Sequence, residues 1–157
     1  MSEEESVSKL KKMLVVLACC ILFAMSARAA NDWPTWRYDL NRTSASPHGL
    51  PDDLSLQWKR DLRAPQPAFA RDPRMCPDRS YEPVAAEGLV FVPSNVEDSV
   101  TAYRAEDGSV AWQFFTGGPV RFAPVYWKGR GYFGSADGYV YCVEADTGEL
   151  ECKKRGR

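Results

Sequence analysis

Two stretches of this chain decide the fold: Glu82-Pro83-Val84-Ala85-Ala86-Glu87-Gly88-Leu89-Val90-Phe91-Val92-Pro93-Ser94 and Ala123-Pro124-Val125-Tyr126-Trp127-Lys128-Gly129-Arg130-Gly131-Tyr132-Phe133-Gly134-Ser135. They are copies of one pattern, because matching residues lie 41 positions apart: Pro83 and Pro124, Gly88 and Gly129, Phe91 and Tyr132, Ser94 and Ser135. After a slip of one residue the offset becomes 40, and it aligns Val100 with Val140, Ala105 with Ala145, and Gly108 with Gly148. This period is close to the length of a four-stranded propeller blade, which takes about 40–45 residues.

Each copy divides into four strand-like runs separated by turn residues, as a blade requires. In the first copy the predicted strands are Tyr81–Ala86, Leu89–Pro93, Val100–Arg104 and Val110–Phe115. In the second copy they are Phe122–Trp127, Arg130–Gly134, Tyr139–Val143 and Leu150–Lys154. Asp-Gly and Thr-Gly pairs between the runs suit hairpins, because glycine accepts the positive φ of such turns. No stretch here has the pattern of an amphipathic helix, so we expect an all-β fold.

The repeat resembles that of the pyrroloquinoline-quinone-type, or quinoprotein-like, propellers. Their signature runs alanine, an apolar residue, aspartate, alanine, any residue, threonine, glycine, three residues and tryptophan. The first copy has at these places Ala102, Arg104, Ala105, Asp107, Gly108 and Trp112. The second has Cys142, Glu144, Ala145, Thr147, Gly148 and Cys152. In this family the tryptophan docks between neighbouring blades beside small residues. The resemblance therefore implies such a contact for Trp112 and its loss at Cys152.

The resemblance implies a partial β-propeller of four-stranded antiparallel blades over residues 31–157. It holds about two blades, at about 81–116 and 122–154, and a lone outer strand. That outer strand is predicted at Leu54–Lys59, where apolar and polar residues alternate, and Trp58 is its candidate docking tryptophan. The segment Ala64–Ser80 contains four prolines, which exclude a central strand, so we predict an inserted loop on one rim.

A propeller ring closes with typically 4–8 blades, more than this chain supplies. We therefore expect that the natural protein is longer, that the chain is a truncated product, or that several copies assemble. Two apolar blade faces without neighbours would favour association.

The first thirty residues have the organisation of a secretory signal peptide. Lys9, Lys11 and Lys12 precede an apolar run over 13–25, and Ala27 and Ala29 form a cleavage site of the Ala-x-Ala type. An uncleaved N-terminal anchor is the main alternative. The opening Asp32–Asp39 is similar to the start of exported members of the same family. We therefore predict an exported protein, in the periplasm or at the cell surface.

Export changes the number of cysteines that matter. Cys19 and Cys20 leave with the signal, and Cys76, Cys142 and Cys152 remain, so at least one thiol lacks a partner within the chain. No Cys-x-x-Cys spacing exists and His48 is the single histidine, so a zinc site is not expected. Cys142 and Cys152 flank the turn at 146–148 symmetrically. Opposed residues of a hairpin lie within reach of a disulfide, so either a bridge or two unpaired core thiols is compatible with the sequence.

Several classes of function find no support in the residues. The formal net charge is -1, and apart from the basic end at 153–157 no Lys/Arg-rich block follows the first dozen residues, so nucleic acid is not expected as a partner. The chain has no Gly-x-Ser-x-Gly elbow, no His-Glu-x-x-His and no glycine-rich phosphate loop. We therefore expect that the chain is not an enzyme, and we assign no catalytic, cofactor-binding or metal-binding residue.

Two further residue groups are interpreted structurally. Asp107-Gly108 and Asp137-Gly138 are expected in hairpin turns rather than as calcium ligands. The aromatic residues of the repeat are expected to pack between blades rather than to form a sugar-binding platform; they are Trp112, Phe114, Phe115, Trp127, Tyr132, Tyr139 and Tyr141.

The sequence thus predicts an exported β-propeller scaffold or protein-binding module. Its best candidate contact is the Ala64–Ser80 loop, because rim loops on a rigid scaffold commonly carry recognition. We expect a protein partner in the cell envelope or self-association, and membrane contact only through the signal or anchor segment. Two alternatives stay open. One is the N-terminal part of a quinone-dependent dehydrogenase, for which the resemblance implies pyrroloquinoline quinone and calcium. The other is a truncated, non-functional remnant, which the cysteine at 152 favours.

Overall fold

A computed structural model of the chain describes residues 32–69 and 80–156, and within these ranges every regular element is a β-strand. The eight strands are β1 (Val84–Ala86), β2 (Leu89–Ser94), β3 (Ser99–Arg104), β4 (Val110–Phe115), β5 (Val125–Trp127), β6 (Arg130–Gly134), β7 (Tyr139–Glu144) and β8 (Leu150–Arg155). All lie where the repeat predicts them. β1 and β5 are shorter than predicted, because Pro83 and Pro124 precede them and proline has no N–H to donate to a sheet.

Each copy of the repeat folds into one antiparallel sheet, with its strands in sequence order. We call β1–β4 blade 1 and β5–β8 blade 2. The registers of the two blades correspond residue by residue. In blade 1 one row across the sheet is Val84, Phe91, Ala102 and Trp112. In blade 2 the equivalent row is Val125, Tyr132, Cys142 and Cys152. A register shift follows Ala102 in one blade and Cys142 in the other. The prediction of an all-β, partial propeller is confirmed.

The hydrophobic core lies between the two blades. Val84 and Phe91 of blade 1 are almost fully buried, and Phe91 stacks on Tyr126 of blade 2 with ring centroids 6.5 Å apart. Phe114 makes edge contacts with Phe133 and Tyr141, at centroid distances of 5.7 and 5.5 Å. Because successive strand residues point to opposite faces, each sheet contributes alternate side chains to this layer.

The segment that follows residue 31 covers strand edges of both blades. Trp33 and Ala85 exchange two backbone hydrogen bonds, of 2.6 and 2.9 Å, at the edge of β1 that does not pair with β2. The Tyr126 N–H donates to the Pro34 carbonyl at 2.8 Å, so the same segment also contacts β5. These bonds satisfy edge groups that would otherwise be open to pairing with another chain.

Two predictions about apolar side chains are wrong in part. Phe115 and Trp127 are 65% and 55% exposed, because no neighbouring sheet covers their sides of the blades in the described part of the chain. Residues 54–59 form no hydrogen-bonded strand, and Leu54 and Leu56 are mostly exposed, because no described segment pairs with them. Nowhere in ranges 32–69 and 80–156 is a helix long and apolar enough to cross a membrane. The predicted signal peptide lies outside the described residues.

Candidate functional site

Two tryptophans dock in the same way, one repeat apart. The Trp112 indole of blade 1 lies against Gly148 of blade 2, and its Nε1–H donates to the Ala145 carbonyl at 2.8 Å. The Trp58 indole lies against Gly108 of blade 1, and its Nε1–H donates to the Ala105 carbonyl, also at 2.8 Å. A Cβ placed on either glycine would lie 2.6 Å from the indole, so only glycine permits this approach. The docking that the resemblance implies is thus present for both Trp58 and Trp112.

The docked Trp58 fixes the chain that leads into the predicted loop. Two residues later, the Arg60 Nε–H donates to the Gly108 carbonyl at 2.7 Å, and its guanidinium lies 5.7 Å from the centre of the Tyr103 ring. Residues 58–63 therefore run alongside the face of blade 1 that points away from blade 2, in the place of an outer strand of a preceding blade.

The ends of the Ala64–Ser80 loop are tied together and to blade 1. The Tyr81 hydroxyl donates to the Arg63 carbonyl at 2.6 Å, which joins the residues on either side of the loop. Gln66 and Asn95 bond to each other twice, with the Asn95 Nδ2 donating at 2.9 Å and the Gln66 N–H donating at 3.3 Å. The described part of the loop is thus anchored on the turn between β2 and β3. Residues 70–79 lie outside the described part.

A cavity of about 280 Å³ lies at the base of this loop. Its lining combines the docked segment with the outer face of blade 1: Asp61, Leu62, Arg63, Tyr81, Val92, Ser94, Glu97, Thr101 and Tyr103. The Arg63 Nε is 3.6 Å from the Glu97 carboxylate, and the Lys59 Nζ is 2.8 Å from that of Asp61. We call this cavity and its lining the loop-base surface. It offers two phenols, an exposed guanidinium and two carboxylates, with Val92, Ser94 and Thr101 of the blade beneath them, which suits a mixed polar and apolar partner surface.

The turn aspartates have structural roles. Asp107 accepts the Ser109 N–H at 2.8 Å, and hydrogen bonds from Ser109 lower the pKa of Asp107. Asp137 accepts the Tyr139 N–H at 3.0 Å and the Tyr141 hydroxyl at 2.5 Å. Although burial opposes the change, these bonds lower the pKa of Asp137. Both side chains therefore stabilise turns, as predicted. In the described ranges, no three or more His, Cys, Asp or Glu side chains are placed to hold a metal ion.

A separate polar cluster joins the segment that follows residue 31 to both blades. The Asp32 carboxylate accepts the Glu87 N–H at 3.0 Å, and the Tyr126 hydroxyl donates to the Glu87 carboxylate and accepts the Gly129 N–H. Burial, together with the bond to Glu87, raises the pKa of Tyr126 to about 12. Burial also raises the pKa of Asp32. This cluster links the segment that follows residue 31 to both blades, and its polar groups are hydrogen-bonded to one another.

Cys142 and Cys152 are free thiols in this structure. Cys142 is buried, whereas Cys152 is exposed, so the interpretation of both as core thiols is wrong for Cys152. The reason is that Cys152 occupies the row position of Trp112 on the edge strand β8, and in the described part of the chain no second sheet packs against that strand. The Cys142 thiol lies 3.7 Å from the Glu151 carboxylate.

The sequence did not single out the residues of the loop-base surface. Tyr81 and Glu97 are distant along the chain from Arg63 and belong to no motif, and Tyr103 occupies only the apolar position of the repeat signature. The alternation of β3 places Thr101 and Tyr103 on one face, but the sequence alone does not say which segment lies over that face. The docking of Trp58 supplies that information.

Comparison with known proteins adds a family and a fold. A family model described as the outer membrane protein assembly factor BamB matches residues 31–152. No curated protein sequence matches the chain. The crystal structure of the quinohemoprotein alcohol dehydrogenase from Comamonas testosteroni is similar at 22% identity and a TM-score of 0.57, over 85% of this chain and 21% of that one.

Two further solved structures are similar over shorter stretches. The quinohemoprotein alcohol dehydrogenase ADHIIG from Pseudomonas putida HK5 is 23% identical with a TM-score of 0.45, over 48% of this chain and 13% of that one. BamB from Moraxella catarrhalis is 9% identical with a TM-score of 0.41, over 44% of this chain and 21% of that one. The matched part is at most 21% of the length of any of these three chains. At 22% identity, the likeness to the Comamonas testosteroni enzyme concerns the fold alone.

Proposed function

Because the chain belongs to the family described as the outer membrane protein assembly factor BamB, we propose that it is an exported β-propeller scaffold that binds a protein partner and has no catalysis of its own. The partner is a protein of the cell envelope, and it binds at the loop-base surface and at the Ala64–Ser80 loop. The sequence signals of export and the description of the family as an assembly factor both support this proposal.

The observation that carries the proposal is the composition and support of the loop-base surface. Tyrosine and arginine are the residues, with tryptophan, that most often dominate protein–protein binding energies. Tyr81, Tyr103 and Arg63 lie together here, and the Arg63 side chain is 73% exposed. They are held by a rigid blade and a docked tryptophan, so little ordering would be needed on binding.

A crosslinking experiment with matched positions tests the location. A photoreactive amino acid replaces Leu62, which is 42% exposed at the loop base, or Leu150, which is 51% exposed on blade 2. In native cell-envelope preparations we expect one defined protein adduct from position 62 and none from position 150. Equal adducts from both positions, or none from 62, would contradict the proposed surface.

Affinity measurements with that crosslinked partner then test the residues. Tyr103→Ala should weaken binding at least about fivefold, because truncating a central interface tyrosine commonly costs more than about 1 kcal/mol. Arg155→Ala, which removes an exposed arginine on β8, serves as the control and should leave affinity unchanged. Replacing 64–80 by a short glycine-serine linker should weaken binding further. Unchanged affinity in that variant would show that the loop is not the contact.

The alternative of a quinone-dependent dehydrogenase has a separate test. The full-length protein would be incubated with pyrroloquinoline quinone and calcium and then freed of unbound quinone. We expect no retained quinone absorbance and no oxidation of an alcohol coupled to a dye. Retention of the quinone with dye reduction would replace the scaffold proposal by the dehydrogenase.

A further inference from the structure

Two cysteines of blade 2 occupy a registered pair of positions. Cys142 of β7 lies directly opposite Cys152 of β8, as Ala102 of β3 lies opposite Trp112 of β4. Relative to blade 1, both members of the pair have changed, alanine to cysteine and tryptophan to cysteine. Each pair also lies beside the same register shift in its blade.

The change removes the anchor of an outer strand. In blade 1 the Trp112 indole ties β4 to blade 2 through Gly148 and the Ala145 carbonyl. The short side chain of Cys152 cannot make an equivalent contact with a neighbour. All six residues of β8 are exposed, so among the described residues this strand is held chiefly by its ladder with β7.

The pairing places the two thiols within bonding reach. Directly opposed residues of an antiparallel pair have Cα atoms about 4.5–5.5 Å apart, and disulfides span about 4.4–6.8 Å. Cys152 is exposed, whereas Cys142, directly opposite it, is buried. Burial, followed by the neighbouring Cys152 thiol, raises the pKa of Cys142, which leaves Cys152 as the thiol that reacts first.

We propose that Cys142 and Cys152 form a cross-strand disulfide when the protein meets a disulfide oxidant, and that this bond holds β8 in place of the missing indole. The inference relies on the proposed export only for its setting, because exported proteins meet such oxidants. The bond itself is a property of the two residues and does not depend on a partner protein.

The chemistry is thiol–disulfide exchange with a low-molecular-weight disulfide or an oxidised dithiol protein. The Cys152 thiolate attacks one sulfur of the oxidant and displaces the other as a thiolate. The Cys142 thiolate then attacks the Cys152 sulfur of this mixed disulfide and releases the second thiol of the oxidant. Two protein thiols are oxidised to one disulfide, the oxidant is reduced to two thiols, and the two protons pass to solvent or to the released thiolates.

Peptide mapping of the purified full chain tests the bond. The reduced protein is incubated with oxidised glutathione, alkylated, and cleaved after glutamate, since Glu144, Glu149 and Glu151 lie between the two cysteines. We expect the two cysteine-containing peptides to remain joined, to separate on reduction, and to escape alkylation. The melting temperature should rise by about 10 °C on oxidation, because the bond closes a loop and restricts the unfolded chain.

Three variants make the assignment specific. Cys76→Ser should keep the linked peptides and the rise in melting temperature. Cys142→Ser and Cys152→Ser should each lose both, and Cys152→Ser changes an exposed residue, so it should fold normally. The proposal is overturned if both thiols are alkylated after oxidation, or if Cys152 is found joined to Cys76 or to another molecule. A protein that forms the bond in vitro but keeps both thiols reduced in cells would contradict the proposed export, not the disulfide.

Discussion

The contribution of the docked Trp112 to stability can be measured by adding one methyl group at Gly148. In Gly148→Ala the new Cβ would lie 2.6 Å from the indole Cδ2, a separation that real Cβ contacts do not reach, so the tryptophan must move. Gly129 supplies the matched control. It has nearly the same φ, +78° against +73°, but nothing lies within 4 Å of an added Cβ. Both substitutions share the backbone cost, and only one displaces an indole.

The magnitudes follow from these two environments. Gly129→Ala should cost about 1–2 kcal/mol of unfolding free energy, the penalty of a left-handed residue with a Cβ. Gly148→Ala carries the same penalty and adds the loss of the Trp112 Nε1 hydrogen bond, about 1 kcal/mol. It also loses part of the indole packing, about a further 1–2 kcal/mol. We therefore expect Gly148→Ala to cost about 2–3 kcal/mol more than Gly129→Ala.

Urea denaturation followed by far-UV circular dichroism measures these differences, with Trp112→Ala added to complete a double-mutant cycle. In the Trp112→Ala background the extra cost of Gly148→Ala should disappear, because no indole remains to be displaced. Equal costs for Gly148→Ala and Gly129→Ala would refute the reasoning. So would an extra cost that persists without Trp112, since it would then arise from the backbone at Gly148.

Three further predictions concern other contacts. The raised pKa of Tyr126 means that its contribution to the free energy of unfolding is intact below pH 10 and is lost as the pH rises towards 12. Unfolding measured over this pH range should show a loss of about 1 kcal/mol, after allowance for the partial exposure of the side chain. The loss should be absent in Tyr126→Phe. Trp58→Ala should make the 54–66 segment sensitive to limited proteolysis. Trp36→Ala, which changes a side chain that is 39% exposed, serves as the control and should not. Equal digestion patterns for the two variants would contradict the docking of Trp58. In reducing buffer Cys142→Ala should cost about 1 kcal/mol by thermal unfolding and Cys152→Ala less than about 0.5, because only the first is buried; the reverse order would contradict the assigned burial.

The strands were predictable because their signals are local. Turn residues mark where the hairpins reverse, at Glu87-Gly88 before β2 and at Asn95–Asp98 between β2 and β3, and the alternation of these two strands then follows from the position of those turns. The docking of Trp112 could also be predicted, because the resemblance implied that this tryptophan contacts the neighbouring blade. The outcome for Trp58 confirms that the same contact recurs one repeat earlier.

Features that depend on distant segments could not be predicted in this way. The exchange of hydrogen bonds between Trp33 and Ala85 uses backbone groups only, so no side-chain pattern marks it. The tie between Tyr81 and Arg63 closes a long loop, and neither residue belongs to a recognisable motif. The prediction for 54–59 was wrong for a related reason. An alternating pattern shows that a segment can be half-buried, but burial requires a neighbour to cover it.

The two blades show how strongly burial depends on the neighbour. Val84 is 1% exposed and its equivalent Val125 is 40% exposed, although both occupy the same place in the same register. Blade 2 covers the first and no described segment covers the second. Trp112 reaches Gly148 and the Ala145 carbonyl of the neighbouring blade, and the short side chain at 152 has no group that could make the same contact. Under the proposed disulfide, Cys152 is instead linked to Cys142 within its own sheet, so the bond would hold β8 to β7 whether or not a further blade packs against it.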